Sequence, residues 1–373
     1  MHILYNIAGL YRPAGMERVL TDKANWFVEN GHRVTILTTE QNGRPYAFPL
    51  NPEVEVVDLA IGYEDNNGGS LLDKLIHYPG KQRRHRKALE AILAERKPDV
   101  TVSMFCNEVN LIPRMKDGGA KVLEVHFSRF KRLQYGRKGL WALADRLRSR
   151  QDAALVRRYD RFVVLTEEDK ALWGRMDNIR VIGNPVRFNP PGPAPLDTKT
   201  VIAVGRYTYQ KGLERLLEAW SLISLKAGWT LRLVGDGEDR EALEAQIRAL
   251  GLEDSVRLGR AESDMDTVYS GASILALSSR YEGLPMALLE CQAFGVPAVS
   301  FDCKCGPREI IVPGETGFLT EEGNVEGLAE YLEILMNDDA LRLRMGRNAF
   351  RHAAAWRPEN IMPEWISLFK EIS

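Results

Sequence analysis

Asn189-Pro190-Pro191-Gly192-Pro193-Ala194-Pro195 divides the chain in two. Four prolines within residues 190–195 fix four φ angles and remove four backbone donors. Neither a helix interior nor a central strand can run through them, so the stretch reads as a linker or a linker-adjacent loop. Upstream of it, short apolar runs at 2–8, 34–38, 54–59, 100–105, 122–126, 162–165 and 179–182 read as strands. Helical patterns fill most of the gaps. One runs from about 16 to 30 and ends at Gly31, where a glycine relieves the left-handed turn. Another starts at Thr166, followed by Glu167, Glu168 and Asp169, the composition of a capped amino terminus. Downstream the alternation restarts, with strands expected at 201–204, 230–234, 256–258, 274–277 and 298–301. Helices are expected there at about 212–226, 239–250, 265–271, 285–294, 325–336 and 339–354. Apolar strands alternating with helices need a parallel sheet covered on both faces. The expected architecture is α/β, with two doubly wound domains over 1–186 and 187–355. An aromatic tail at about 356–373 needs a packing surface, which the first domain would supply. Ligands in such sheets bind at the carboxyl edges of the strands, and two such edges could face one cleft.

Length and composition agree. The chain has 373 residues, of which 45% are hydrophobic and 27% charged, as in ordinary soluble domains. No apolar run approaches the roughly 18 residues that span a bilayer. The amino terminus enters a strand pattern without a basic leader, so no signal peptide is expected and the expected location is cytoplasmic. Cys106, Cys291, Cys303 and Cys305 are too few and too irregular for a disulfide framework. The net charge of −1 conceals an asymmetry: residues 1–185 hold 30 bases against 23 acids, and residues 186–373 hold 20 against 28. The excess sits in 81–97, with seven bases and two acids, and in 126–161, with eleven and three. Either the first half meets an anionic partner or an Arg-rich helix face is merely solvated there.

Several chemistries are disfavoured. The loop Gly9-Leu10-Tyr11-Arg12-Pro13-Ala14-Gly15 lacks G-x-G-x-x-G spacing, and Gly235-Asp236-Gly237 is followed by Arg240 where a glycine is needed. There is no P-loop lysine motif, His-Glu-x-x-His pair or Cys-x-x-Cys pair. Cys303-Lys304-Cys305 has no second ligand cluster and reads as loop structure. Asp264-Met265-Asp266 precedes Thr267-Val268-Tyr269 and reads as a helix cap rather than a metal site.

The stronger signals lie in the second half. Arg280-Tyr281-Glu282-Gly283-Leu284-Pro285-Met286-Ala287-Leu288-Leu289-Glu290 follows a buried strand and enters a helix, with Pro285 in its first turn. Glu290 then stands among Leu288, Leu289, Cys291 and Phe294, an expensive place for a carboxylate without a partner. It suits either sugar hydroxyls or a structural ion pair. Val204-Gly205-Arg206-Tyr207-Thr208-Tyr209-Gln210-Lys211-Gly212 puts a planar guanidinium and a point-charge ammonium after the first strand of the second half. Such a pair suits a diphosphate.

These residues resemble retaining glycosyltransferases of family 4, which have the GT-B fold of two Rossmann-like domains facing one cleft. Gly205-Arg206 with Lys211-Gly212 carries the resemblance, together with the E-x7-E element from Glu282 to Glu290. Gly295-Val296-Pro297, Gly306-Pro307-Arg308-Glu309-Ile310 and Gly314-Glu315-Thr316-Gly317-Phe318-Leu319 add to it. The first half is similar at Ala14-Gly15-Met16-Glu17-Arg18, where the family has a pair of glycines, at His126, and at Ile182-Gly183-Asn184-Pro185-Val186.

The resemblance implies a donor site in which Arg206 and Lys211 stabilise the departing nucleoside diphosphate in place of a metal. Glu290 would hold the ribose hydroxyls. Glu282, Gly283, Leu284 and Met286 would hold the sugar and phosphates, beside Gly205. Gly15, His126 and Arg129 would lie on the acceptor side. The implied activity is transfer of a hexose or N-acetylhexosamine from a nucleotide-sugar, expected to be UDP-linked, to a glycan or lipid-linked glycan. No metal or other cofactor is expected. Phe127, Phe130, Tyr135, Leu140, Trp141 and Leu143 among the bases of 126–161 suggest peripheral attachment to an anionic membrane at its inner face. Arg129, Lys131 or Arg132 would then reach an acceptor's phosphate. Two competing readings are a nucleotide-sugar epimerase and a nucleic-acid binder using the basic first half, the latter outside the expected partners.

Overall fold

The computed structural model describes residues 1–66, 71–130, 140–224 and 226–373. The apolar runs of the first half fold as β1 (His2–Ile7), β2 (Arg33–Thr38), β3 (Glu55–Asp58), β4 (Val100–Ser103), β5 (Ala120–Glu124), β6 (Arg161–Val164) and β7 (Ile179–Val181). They form one sheet in the order β3-β2-β1-β4-β5-β6-β7, each paired neighbour parallel. The second half gives β8 (Thr200–Val204), β9 (Thr230–Val234), β10 (Val256–Leu258), β11 (Ile274–Leu277), β12 (Ala298–Asp302) and β13 (Gly317–Glu321). Their order is β10-β9-β8-β11-β12-β13, again parallel throughout. Both sheets thus reverse their winding once, between β1 and β4 and between β8 and β11. That reversal opens a crevice at the carboxyl ends of those strands.

Burial explains the continuous apolar runs. β4 and β5 are buried at every position, as strands covered on both faces must be. In the second sheet Val201, Leu231, Ile274 and Val299 share one core with Leu216, Leu217 and Trp220 of helix Leu213–Leu222 and with Leu328 and Leu332 of helix Val325–Asn337.

The chain forms two units, Met1–Pro185 with Ile361–Ser373, and Val186–Asn360. The change of unit falls before the proline-rich stretch, which is not a free linker. Ala194 N–H donates to the Phe294 carbonyl at 2.7 Å, fastening that stretch to the second unit. Prolines lack donors, so such a segment needs few partners to lie against a surface.

Two elements escape the sequence pattern. β13 has weak strand character but pairs along β12 from Ala298↔Gly317 to Asp302↔Glu321. A Cβ at Gly317 would come within 2.2 Å of the Ala298 carbonyl oxygen, so this pairing needs glycine there. The carboxyl-terminal segment is the helix Pro358–Ile372, which seats Trp365 and Phe369 in the first unit.

Under that helix lies a buried charge pair. Lys23, on helix Gly15–Glu29, donates to both carboxylate oxygens of Glu124 at 2.7 Å, and both side chains are fully buried. The Lys23 ammonium also stands 3.4 Å from the Trp365 ring centroid, a cation–π contact. Burial alone would push the Glu124 carboxyl up, but the Lys23 ammonium and the His126 ring hold it at about 2. Because its pKa is lower than in the unfolded chain, its stabilisation is complete above the ordinary value of 4.5. It fades as pH falls from there towards 2. Lys23→Met should leave a buried anion without its countercharge and cost about 3–5 kcal/mol, much of which Lys23→Met/Glu124→Gln should restore. Urea unfolding monitored at both pH 7 and pH 3 measures both effects.

Candidate functional site

The crevice between β8 and β11 is built by the two loops that leave these strands. The loops are joined along their length. Ser278 Oγ donates to the Lys211 carbonyl at 3.0 Å, Arg280 N–H to the Gln210 carbonyl at 2.8 Å, and Gln210 Nε2 to the Tyr281 carbonyl at 3.0 Å. Arg280 pairs with Glu214 and lies over the Tyr209 ring, 3.9 Å from its centroid.

Within this frame Lys211 Nζ lies 2.7 Å from Glu282 Oε1, and Ser279 Oγ donates to the same oxygen at 2.6 Å. Glu282 is almost wholly buried, and these two donors offset the desolvation of its carboxylate. Its other oxygen, Oε2, has no hydrogen-bond partner among the described residues. The Lys211 stem crosses Gly205, whose φ is +152°. That backbone conformation favours glycine, and a Cβ there would also meet Lys211 Cε at 2.8 Å and press on the stem that carries the ammonium to Glu282. Arg206, next to it, is exposed and has no ion-pair partner among the described residues.

Gly283 and Leu284 lead into helix Met286–Ala293. Pro285 is the residue before that helix rather than a member of its first turn, where sequence placed it. Glu290 stands half-buried in the second turn, and Tyr269 Oη donates to its Oε2 at 2.6 Å. Burial, and then the Glu290 charge, push the Tyr269 hydroxyl well above its ordinary range, so it stays a donor.

Asp264 acts as a cap, accepting from the Thr267 N–H at 3.1 Å and from its hydroxyl at 2.6 Å. Among the described residues no group of three or more His, Cys, Asp or Glu side chains could hold a metal ion. Cys303 and Cys305 are buried and form no disulfide among the described residues, and burial, followed by the Glu282 charge, pushes the Cys303 thiol well up.

In the first unit Gly15 opens helix Gly15–Glu29, with open space where its Cβ would stand. His126 follows the end of β5, and its Nε2 approaches Glu124 Oε1 at 2.9 Å. The Arg129 N–H donates to Asp169 Oδ1 at 2.8 Å, and its guanidinium stands 4.6 Å from the Trp173 ring centroid. Phe127 departs from the interfacial expectation: it packs edge-on against Phe105 at 5.1 Å, beside a buried cluster. Lys131, Arg132, Tyr135 and the side chains of Leu140, Trp141 and Leu143 lie outside the described residues.

The structure therefore joins Gly205, Lys211 and Glu282 at one crevice and ties His126 to a buried carboxylate. Sequence reasoning missed Ser279, Tyr269, Lys23 and Glu124. The signal for Glu124 was a lone charge inside the apolar run 122–125; Lys23, beside Asp22, and Ser279 and Tyr269 gave none.

Comparison with known proteins follows this division. Residues 13–189 match the family Glycosyltransferase Family 4, and residues 188–352 match Glycosyl transferases group 1. The chain belongs to the glycosyltransferases. An uncharacterized glycosyltransferase of Haemophilus influenzae is 36% identical over 211 residues, which are 55% of this glycosyltransferase and 60% of the relative. The chain thus spans less than two thirds of that relative's length. A Campylobacter jejuni protein is 27% identical over 380 residues, covering 100% of this chain and 99% of its own. That protein is named GalNAc-alpha-(1->4)-GalNAc-alpha-(1->3)-diNAcBac-PP-undecaprenol alpha-1,4-N-acetyl-D-galactosaminyltransferase. TarM of S. aureus, solved with fondaparinux, alpha-GlcNAc-glycerol and UDP, superposes with a TM-score of 0.80 at 15% identity, over 99% of both chains. The fold of this glycosyltransferase is GT-B.

Lys211→Met should leave Glu282 held by Ser279 alone and lower the stability of the second unit by about 2 kcal/mol. Adding Glu282→Gln should recover most of that loss. Urea midpoints read from the buried Trp220 and Trp229 test the pair.

Proposed function

We propose that this glycosyltransferase moves a hexose or N-acetylhexosamine from a UDP-sugar to a glycan or lipid-linked glycan in bacterial surface-polysaccharide synthesis, with retention of configuration. The observation that carries the reading is the Lys211–Glu282 pair at the crevice between β8 and β11. A diphosphate leaving group needs positive charge already in place, and Lys211 is held there by its pair while Arg206 stands beside it with no ion-pair partner among the described residues. Gly205 keeps the backbone close. Glu282 meets the donor sugar through its open oxygen, with Gly283, Leu284 and Met286 lining the phosphates and sugar. Glu290 takes the ribose hydroxyls. Gly15, His126 and Arg129 serve the acceptor.

In this mechanism the acceptor hydroxyl attacks the anomeric carbon on the face the diphosphate leaves, and a donor phosphate oxygen takes the hydroxyl proton. No protein nucleophile takes part, and two cationic side chains meet the leaving charge. The Campylobacter relative, named for a diphosphoundecaprenol-linked acceptor, supports a lipid-linked acceptor here. The structure of TarM with UDP supports a uridine donor.

Attachment to an anionic membrane belongs to the same proposal. Ile76 is 72% exposed, Tyr78 46% and Leu147 51%, and exposed bases stand near them at Arg83, Arg84, Arg86, Arg146, Arg148 and Arg150. Each base near an anionic surface contributes about 1 kcal/mol, weakened by salt. Among the described residues no helix is long and apolar enough to cross a membrane. Co-sedimentation with anionic vesicles should fall as salt rises and should vanish with neutral vesicles; equal recovery with both removes this part of the reading.

The transfer reading is tested with UDP-sugars and a lipid-linked acceptor. Lys211→Ala and Glu290→Ala should each slow transfer at least a hundredfold, about 2.7 kcal/mol of barrier, and EDTA should leave the rate unchanged. Activity within about tenfold of wild type in both variants sinks the site assignment. Loss of activity in EDTA, restored by magnesium or manganese, overturns the metal-free mechanism. Conversion of UDP-sugar with no acceptor present points to an isomerase instead.

A further inference from the structure

We infer that Tyr269 is the positioning residue that sets Glu290 for the nucleotide's ribose, an inference that rests on the ribose role proposed for Glu290. Tyr269 lies in the last turn of a short helix, Met265–Ser270, on a different element from Glu290, and its side chain is fully buried. Its ring is clamped by two others: Phe188 edge-on at 5.7 Å and Phe294 tilted at 5.7 Å, which themselves meet at 5.3 Å. A tyrosine so enclosed has one place for its hydroxyl, and that place is 2.6 Å from Glu290 Oε2. Burial keeps this hydroxyl protonated, so its proton is there to donate, and the carboxylate turns an acceptor lone pair towards it.

The consequence is geometric. Glu290 rises from a helix on a flexible stem, and a half-buried carboxylate left to itself samples several rotamers. Pinning by a rigid ring fixes one oxygen and narrows the rotation of the carboxylate before any ligand arrives. Two adjacent ribose hydroxyls then meet acceptors already in position, so less ordering is required on binding. Phenylalanine at 269 keeps the three-ring cluster and removes only the pin.

Binding of UDP, GDP and ADP, each beside its 2′,3′-dideoxy form, tests this by calorimetry on wild type and Tyr269→Phe. Wild type should prefer the best ribonucleotide over its dideoxy form by about tenfold or more, equivalent to 1.4 kcal/mol. Tyr269→Phe should reduce that preference to about threefold or less while leaving dideoxy affinity unchanged, and should raise donor KM with kcat kept at saturating donor. A full preference retained in Tyr269→Phe overturns the proposal, as does equal weakening of both forms, which marks a merely structural tyrosine. If wild type shows no preference, the ribose role of Glu290 fails first and takes this inference with it. Should Tyr269→Phe not fold, carbon-13 at the tyrosine Cζ of the wild-type protein gives a second readout. The Tyr269 resonance should move with the ribonucleotide and stay with the dideoxy form, and equal movement with both is the overturning result.

Discussion

Parallel pairing governs this molecule. When every strand in a sheet points the same way, all the loops that follow strands emerge on one edge, and the chain must cross back to the other edge between strands, usually through a helix. Both sheets obey this, with one reversal of winding each, between β1 and β4 and between β8 and β11. At each reversal the neighbouring loops diverge, and the opening between them has backbone amides and helix starts along its rim. Gly15 leaves β1, His126 leaves β5, Lys211 leaves β8 and Glu282 leaves β11. The candidate site residues gather at the carboxyl edges because the loops that leave parallel strands all emerge there.

Charge inside such a fold has to be matched, and the two units do so differently. Lys23 and Glu124 are withdrawn from water completely, with Trp365 over the ammonium, and their pairing ties helix Gly15–Glu29, β5 and the carboxyl-terminal helix together. Removing one member leaves an uncompensated ion in the core. Lys211 and Glu282 are paired at the same 2.7 Å, but Lys211 keeps a fifth of its side-chain surface in solvent and Glu282 a second donor in Ser279. That pair can therefore share its ammonium with an incoming anion without abandoning its carboxylate. The first pair is architecture, and the second is the pair on which the proposed function rests.

Most of the fold was legible because its signals are local. Apolar runs bounded by Gly31 or Thr166 mark elements whose ends are set by neighbouring backbone groups, and Thr166 does accept from the Asp169 N–H at 3.1 Å. The proline-rich stretch is the loop next to the change of unit that its composition implies, but composition left its resting place open. Proline forbids helix and strand but says nothing about where a chain rests, and Ala194 fastens these residues to Phe294. β13 was hidden because an edge strand takes its hydrogen bonds from β12 rather than from its own composition.

The candidate site divides along the same line. The sequence by itself determined the alternation of elements, the spacing of Gly205, Lys211, Glu282 and Glu290, and the family to which that spacing belongs, since residue types at fixed separations are a property of the chain. Only the tertiary structure decided who holds whom. Glu282 shares its Oε1 between Lys211, 71 residues away, and Ser279; Tyr269 reaches Glu290 from another helix; Lys23 meets Glu124 across 101 residues. A buried charge must be matched by whichever group the fold brings within reach, and that group carries no mark in the local sequence.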